Sequence, residues 1–181
     1  MLFRSFTMIS LPASTQYSCM NGMLAEDFDG DGKLDVLMVG NDYGTDVSVG
    51  RYDACNGLML KGNGNGNFET LTTLQSGWFV PGNAKALVKL RGSNGQCLIA
   101  ASQNRDKLKI FAMKGNSNCI QLQAFDMSVI IHFKNGTKQK KEIYYGDSFL
   151  SQSGRFINIG FDVLSVSIKD MQGHERQISF K

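Results

Sequence analysis

The sequence has few of the residues that mark catalytic or membrane-embedded proteins. Its 181 residues include two prolines, two histidines and one tryptophan. No apolar run reaches the roughly 18 residues that a membrane-spanning helix needs, so we expect no transmembrane segment. The two histidines, His132 and His174, lie within and beside strand-like segments, and no G-x-S-x-G nucleophile motif accompanies them. We therefore expect both to be structural or surface residues, and we predict no enzyme activity.

Charge is also sparse. Charged residues make up 19% of the chain and the net charge is +3, which lacks the concentrated basic character of nucleic-acid-binding proteins. A strip of four lysines is interpreted as one solvated face of a strand (Lys134, Lys138, Lys140 and Lys141). Hydrophobic residues make up 42% of the chain, enough for a packed core. Nucleic acid is therefore not expected as a partner.

The four cysteines, Cys19, Cys55, Cys97 and Cys119, are widely spaced and include no C-x-x-C pair. This spacing argues against a zinc site, for which closely paired cysteines are typical. Two disulfides would form only in an oxidising compartment, and spacing alone does not assign their pairing. Buried free thiols are the simpler interpretation, and we favour it.

Glycine, in contrast, is abundant, with 20 residues, and Asn-Gly and Asp-Gly pairs recur between short apolar runs. Such pairs are typical of tight turns between antiparallel strands. The pattern predicts an all-β protein without a long helix. The expected strands cover 35–39, 58–60, 68–74, 86–90, 97–101, 108–111, 129–133, 138–145, 163–169 and 175–180.

The most specific motif is D-F-D-G-D-G-K-L-D, from Asp27 to Asp35. Calcium takes six to eight oxygen ligands, and alternate carboxylates in a glycine-rich loop can surround one ion. The expected ligands are four carboxylates and one backbone carbonyl (Asp27, Asp29, Asp31, Asp35 and the carbonyl of Lys33). An EF-hand would need a glutamate where Met38 stands and a helix where a strand is predicted. A solvated acidic turn without an ion is the alternative.

A weak internal repeat accompanies this loop. The segment 23–39 recurs at an offset of 62 residues, with the loop R-G-S-N-G-Q in place of the acidic one. Lys89, Arg91 and Ser93 occupy the positions of Asp27, Asp29 and Asp31, so the second copy is expected to keep the strands without the site. Because propeller blades usually repeat at about 40–50 residues, an insertion is expected at 47–56.

The string E-D-F-D-G-D-G-K-L-D-V-L-M-V-G-N, followed by L-M-L-K-G-N-G-N-G-N-F, resembles the FG-GAP/VCBS repeats of integrin-like β-propellers. In those repeats a D-x-D-x-D-G-x-x-D loop binds calcium between blade strands. The resemblance implies Ca²⁺ as the ligand of Asp27, Asp29, Asp31 and Asp35. Gly64, Gly66 and Phe68 match the family's glycine-phenylalanine turn. Asn63 and Asn65 stand where the family often has aspartate.

The C-terminal part resembles the ASPIC/UnbV module that follows such repeats. The resemblance rests on N-G-T-K-Q-K-K-E-I, G-D-S-F-L-S-Q-S and the final hairpin, while N-I-G-F at 158–161 replaces the family's phenylalanine-glycine-leucine-glycine stretch. Together the two resemblances imply a partial propeller of about two blades followed by a small antiparallel β-domain. The expected division is 1–113 for the blades, 114–122 for a linker and 123–181 for the β-domain.

The resemblances imply a non-enzymatic calcium-binding protein in adhesion, or in protein or glycan binding, at the cell surface. The parent families are extracellular or belong to the cell envelope, although residues 1–14 lack a clear signal peptide and are interpreted as strand and loop. Two blades leave sheet edges exposed, so we expect missing blades or a partner to cover them, with Met1 an internal start of a longer chain. An enzyme-accessory domain and a decayed copy without independent function are the alternatives.

Overall fold

The computed structural model of the chain describes residues 7–113, 118–146, 150–160 and 162–180. Antiparallel strands are the predominant regular structure of these residues, which confirms the all-β prediction. The described helices are short: a 3-10 turn at Ala13–Gln16 and the single-turn helix α1 at Thr73–Ser76. The strands are β1 Met20–Glu26, β2 Asp35–Gly40, β3 Leu58–Gly62, β4 Phe68–Leu71, β5 Ala84–Arg91, β6 Cys97–Gln103, β7 Lys109–Ala112, β8 Asn118–Gln121, β9 Asp126–Phe133, β10 Lys138–Glu142, β11 Phe156–Ile159, β12 Val163–Asp170 and β13 Glu175–Ser179.

The first sheet is a meander in which β1, β2, β3 and β4 follow one another in space as in sequence. Every residue of β2 is buried, because both faces of this central strand are covered. Leu37 and Val39 join the large N-terminal core on one face, and Val36 and Met38 pack with Leu60 on the other. The uninterrupted apolar run thus reflects burial on both sides, with side chains that alternate between the two faces.

The second sheet contains β5, β6 and β7 in sequential order. Its inner face packs on the first sheet through Leu87 and Ile99, which belong to the same core as Leu24. Trp78 lies in this core, where its indole N–H donates to the Met38 carbonyl at 3.2 Å and its ring lies 4.4 Å from that of Phe111. Trp78 is therefore a packing residue of this core.

A separate core holds the C-terminal strands together. The sheet β10-β9-β12-β13 packs with the two-stranded ladder β8-β11 around buried aliphatic residues. These are Leu122, Val129, Ile131, Ile157, Ile159, Val163, Val166 and Ile168. The strand predicted at 163–169 is present as β12, whose residues Val166 and Ile168 are fully buried. A register shift between Val163 and Ser165 leaves Leu164 exposed.

Several local predictions need correction. Residues 118–121 of the predicted linker form β8, because their backbone pairs with β11. No strand was predicted at the position of β11. Residues 114–117 of the predicted linker lie outside the described residues. The strand predicted at 68–74 ends at Leu71, since Thr72 caps α1 through a reciprocal capping box with Gln75. Residues 1–14 were interpreted as strand and loop; the described part, 7–14, contains no strand, and 1–6 lie outside the described residues.

The predicted repeat corresponds to two hairpins, β1–β2 and β5–β6. The predicted insertion at 47–56 lies in the β2–β3 connection, where Asp42 and Tyr52 form an isolated bridge. Cys55 and Cys97 are buried thiols as expected, whereas Cys19 is exposed and Cys119 half-buried. Across the part of the chain that the structure describes, no helix has the length and apolar character needed to span a membrane.

Candidate metal site

The acidic motif forms the connection between β1 and β2. Gly30 and Gly32 have φ angles of +84° and +79°, a left-handed conformation that favours glycine, so the chain can reverse twice within a few residues. The carboxylate of Asp27 closes these turns by accepting from Gly30 N at 2.7 Å and from Gly32 N at 2.9 Å. Asp29 accepts from the backbone N–H of Asp31 at 3.1 Å. The loop is thus curled around its own carboxylates.

Asp35 anchors the loop from inside the fold. Its side chain is fully buried at the first position of β2. One carboxylate oxygen accepts from Phe28 N at 3.1 Å and the other from Gly62 N at 2.9 Å. Because Gly62 ends β3, this single carboxylate fixes the acidic loop to the neighbouring strand as well as to its own hairpin.

Three of the predicted ligands meet. Asp27, Asp29 and Asp35 each place a carboxylate oxygen so that all three atoms lie within 4.8 Å of one another. Two oxygens that bind one calcium ion at 2.3–2.6 Å can lie at most about 5 Å apart, so the spacing fits a shared ion. Each carboxylate has roughly four lone-pair sites and retains acceptor capacity beyond its backbone hydrogen bonds.

Another predicted ligand, Asp31, lies outside this cluster. Asp31 faces lysines: its Oδ2 lies 3.6 Å from the ammonium of Lys33 and 3.5 Å from that of Lys61, and its Oδ1 accepts from Lys33 N at 3.0 Å. Lys61 also forms an ion pair with Asp29. No local pattern in the sequence indicates a role for Lys61, because only the pairing of β3 with β2 brings it to the loop.

The electrostatics of the loop divide its carboxylates into two kinds. Partial burial, opposed by the backbone donors of Gly32 and Gly30, raises the pKa of Asp27, and the charges of Asp29 and Asp31 raise it further. At Asp31, the Lys33 N–H donor and the ammonium groups of Lys33 and Lys61 outweigh desolvation and lower the pKa. Asp27 therefore carries a negative charge that its surroundings do not neutralise.

A further carboxylate approaches the loop from the C-terminal part. Asp162 lies between β11 and β12, and its Oδ2 is 3.6 Å from the point that a Cβ at Gly32 would occupy. No sequence motif indicates this approach, since more than a hundred residues separate the two positions. Asp162 adds negative charge at the rim of the site.

The second hairpin has no comparable cluster. Lys89 and Arg91 are part of β5, so the strand continues where the first copy turns into its loop. The Lys89 ammonium reaches back to Glu26 at the end of β1, and Lys141 of β10 binds the same Glu26 oxygen. The expectation that the second copy keeps its strands but carries no acidic site agrees with this arrangement.

A cavity of about 610 Å³ opens beside the acidic loop. Phe28 and Asp29 line it on the loop side, and Phe133, Lys141 and Tyr144 line it on the side of the C-terminal strands. Aromatic rings and charged groups thus face one space, an arrangement that suits a ligand with both apolar and hydroxyl-bearing surfaces.

The two histidines lie elsewhere in the described chain. The His132 Nε2 is 3.3 Å from Ser167 Oγ, and the His174 Nδ1 is 3.1 Å from Asp170 Oδ2 in an exposed turn. Each thus has a partner in the fold that accounts for its orientation.

No protein-family model and no curated protein matches the chain.

Proposed function

We propose that the loop from Asp27 to Asp35 binds one calcium ion and that the protein is a non-enzymatic binding module stabilised by it. The observation that carries the proposal is the convergence of carboxylate oxygens from Asp27, Asp29 and Asp35 within 4.8 Å. Asp31 and the Lys33 carbonyl are the remaining candidate ligands. A hard cation with oxygen ligands matches this donor set better than a transition metal, which would favour histidine or cysteine.

The charge balance supports a divalent cation. Four carboxylates and two ammonium groups leave the loop with an excess of two negative charges (Asp27, Asp29, Asp31 and Asp35 against Lys33 and Lys61). The raised pKa of Asp27 is a consequence of this excess together with burial. A bound Ca²⁺ would neutralise the excess and lower that pKa. Since Lys61 competes for Asp29, we expect an affinity in the range of extracellular calcium modules, roughly 10⁻⁴–10⁻³ M.

The ion would have a structural role. Asp35 already joins the loop to Gly62 at the end of β3, and calcium would connect Asp35 to Asp27 and Asp29 through a single centre. The β1–β2 turn and the β3 terminus would then resist opening together. No chemical step is assigned to the site.

Calcium titration by calorimetry, with thermal unfolding in parallel, tests the proposal. We expect saturable binding of one Ca²⁺ and a rise in Tm, because a ligand that binds only the folded state stabilises it. Asp29→Asn keeps the oxygen that accepts from Asp31 N but removes the charge, so it should weaken binding at least tenfold. Asp46→Asn is the matched control, since Asp46 is an exposed aspartate that also closes its own turn, with Ser48. Equal binding by the two variants would refute the site.

The wider role that we propose is adhesion, or protein or glycan binding, at or outside the cell surface. It is supported by the resemblance to FG-GAP/VCBS repeats and by the aromatic and charged lining of the 610 Å³ cavity. Glycan-array binding in millimolar calcium, with Tyr144→Ala as the test variant, examines this role. Tyr17 is exposed and does not line the cavity, so Tyr17→Ala is the control. Binding that is unchanged in Tyr144→Ala would exclude the cavity as the contact surface.

A further inference from the structure

A second cavity, also of about 610 Å³, lies between the β2–β3 connection and the β6–β7 turn. The connection contributes Tyr43, Gly44 and Arg51, the turn contributes 104–106, and residues 81–83 before β5 complete the lining. This cavity shares no lining residue with the one beside the acidic loop. It is therefore a separate candidate site that does not depend on the proposed calcium loop.

Buried amide side chains hold the floor of this cavity in place. Asn41, which is fully buried, donates from Nδ2 to the carbonyls of Pro81 at 3.3 Å and Gly82 at 3.1 Å. Gln103 accepts from Gly82 N at 2.9 Å and donates to the Lys107 carbonyl at 2.8 Å. A Cβ at Gly82 would collide with Gln103 Oε1, so only glycine allows this close approach. The floor is thus pre-formed, as the floors of small-molecule sites usually are.

Two acceptors in the cavity are open to a ligand. The side chain of Asn83 is 3% exposed, and its Oδ1 has no hydrogen-bond partner among the residues that the structure describes. A buried oxygen without a donor is costly, so a ligand that donates to it would remove that cost. Asp106 accepts from Lys107 N at 2.6 Å through one oxygen, and its other oxygen lies 3.4 Å from the point that a Cβ at Gly82 would occupy. Both acceptors suit hydroxyl or N–H groups.

Two arginines, Arg51 and Arg105, supply the positive charge of the cavity. Across the described ranges of the chain, no ion pair joins either of them to a carboxylate. The guanidinium of Arg51 lies 4.9 Å from the ring centroid of Tyr43, a cation–π contact that orients it. Arg105 has a φ of +60°, a left-handed conformation that is uncommon for a residue with a side chain and recurs at ligand-binding sites. Guanidinium groups are well suited to bind a carboxylate through paired hydrogen bonds.

We propose that this cavity binds a sugar acid, a small molecule that combines one carboxylate with several hydroxyl groups. Arg51 and Arg105 hold the carboxylate, and the hydroxyl groups donate to Asn83 Oδ1 and to Asp106. The charge of the lining favours this class over an amino acid. Two arginines against one aspartate leave a charge of +1, which a ligand of charge −1 neutralises and a zwitterion does not.

Calorimetric titration of the full chain with D-glucuronate, at neutral pH, low salt and without added calcium, tests the site. We expect saturable binding of one glucuronate per chain. D-Glucose lacks the carboxylate and should not bind detectably. Acetate lacks the hydroxyl groups and L-alanine is a zwitterion, so both should bind at least about tenfold more weakly. Absence of saturable glucuronate binding, or equal binding of acetate or L-alanine, would overturn the proposal.

Variants at exposed positions assign the bound glucuronate to this cavity. Arg51→Gln and Arg105→Gln should each weaken binding about tenfold, because each removes a charged hydrogen-bond donor. Arg91→Gln is the matched control, since Arg91 is an exposed arginine at the end of β5 that does not line the cavity. Tyr144→Ala, which alters the cavity beside the acidic loop, should also leave the affinity unchanged.

A loss of glucuronate binding in Tyr144→Ala, with unchanged binding in both arginine variants, would place the ligand in the other cavity and contradict the proposal. Because calcium is left out of this titration, its outcome is independent of the outcome of the calcium titration.

Discussion

The hairpins β1–β2 and β5–β6 have the same strand pairing but close in different ways. The first turns through the acidic loop, whose N–H groups are bonded largely by carboxylates, and the second turns through 92–96, where Gly92 N donates to the Gln96 carbonyl. The first residue of the outgoing strand is buried in both: Asp35 in β2 and Cys97 in β6. A buried carboxylate at this position requires donors around it, and only the first hairpin supplies them.

The comparison shows that the acidic residues have two separable roles. Asp35 is a structural acceptor whose hydrogen bonds hold β1, β2 and β3 together without any ion. Asp29 is exposed and shares the carboxylate cluster with Asp27 and Asp35, whereas Asp31 faces Lys33 and Lys61. A motif of evenly spaced aspartates therefore contains positions with different functions.

The largest effect is expected at Asp35, and Cys97 at the equivalent position of the second hairpin serves as its comparison. Asp35→Ala should destabilise the protein by about 4 kcal/mol, because it leaves the N–H groups of Phe28 and Gly62 without acceptors, and each buried unsatisfied donor costs about 1–3 kcal/mol. Cys97→Ala should cost only about 1 kcal/mol, since it removes one small side chain. Urea unfolding of both variants in reductant measures the difference, and similar losses would contradict the structural role of Asp35.

The next effect concerns Glu26, which connects the hairpins to each other and to β10. Glu26→Gln should destabilise the protein by about 3 kcal/mol, because it leaves the largely buried ammonium of Lys89 without its counter-ion. Exposed Glu69 in β4 is the control, and Glu69→Gln should change stability by less than about 0.5 kcal/mol. A loss as small as the control's would show that Glu26 does not hold the two parts together.

The same ion-pair cluster predicts a pH dependence. Desolvation raises the pKa of Glu26, but Lys89 and Lys141 outweigh it, and the folded-state pKa lies below 4.5. A lowered carboxyl pKa contributes stability above its unfolded value, and that contribution is lost as pH falls through the folded pKa. Urea midpoints between pH 7 and 3 should therefore fall more steeply for the unaltered protein than for Glu26→Gln. Parallel pH profiles would contradict the assignment.

The smallest expected effect concerns the competition between calcium and Lys61 for the carboxylates of the loop. Lys61→Met should raise calcium affinity by about two- to fivefold, because it removes the ammonium that pairs with Asp29 and Asp31. Lys107→Met is the control at an exposed lysine away from the loop, and it should leave the affinity unchanged. The gain should shrink as salt rises, since exposed charges are screened. A weaker affinity after Lys61→Met would argue against competition.

Local sequence patterns were sufficient to predict many of the strands. The apolar run at 35–39 and the Asn135-Gly136 turn gave a strand and a hairpin where they were expected, and β12 covers the strand expected at 163–169. Segments with mixed composition were missed: β8 has the sequence N-C-I-Q and becomes a strand only because β11 pairs with it. The local sequence of a segment does not indicate which distant segment it pairs with.

The sequence by itself determined that the chain is all-β and that an acidic, glycine-containing turn precedes a buried strand, because turn chemistry and side-chain alternation are local. Tertiary structure alone decided which carboxylates meet, because Asp35 turns inward only where Gly62 N can bind it and Asp31 is drawn to Lys61 of a neighbouring strand. It also decided that Glu26 meets Lys141, since this contact depends on the packing of strands far apart in the chain.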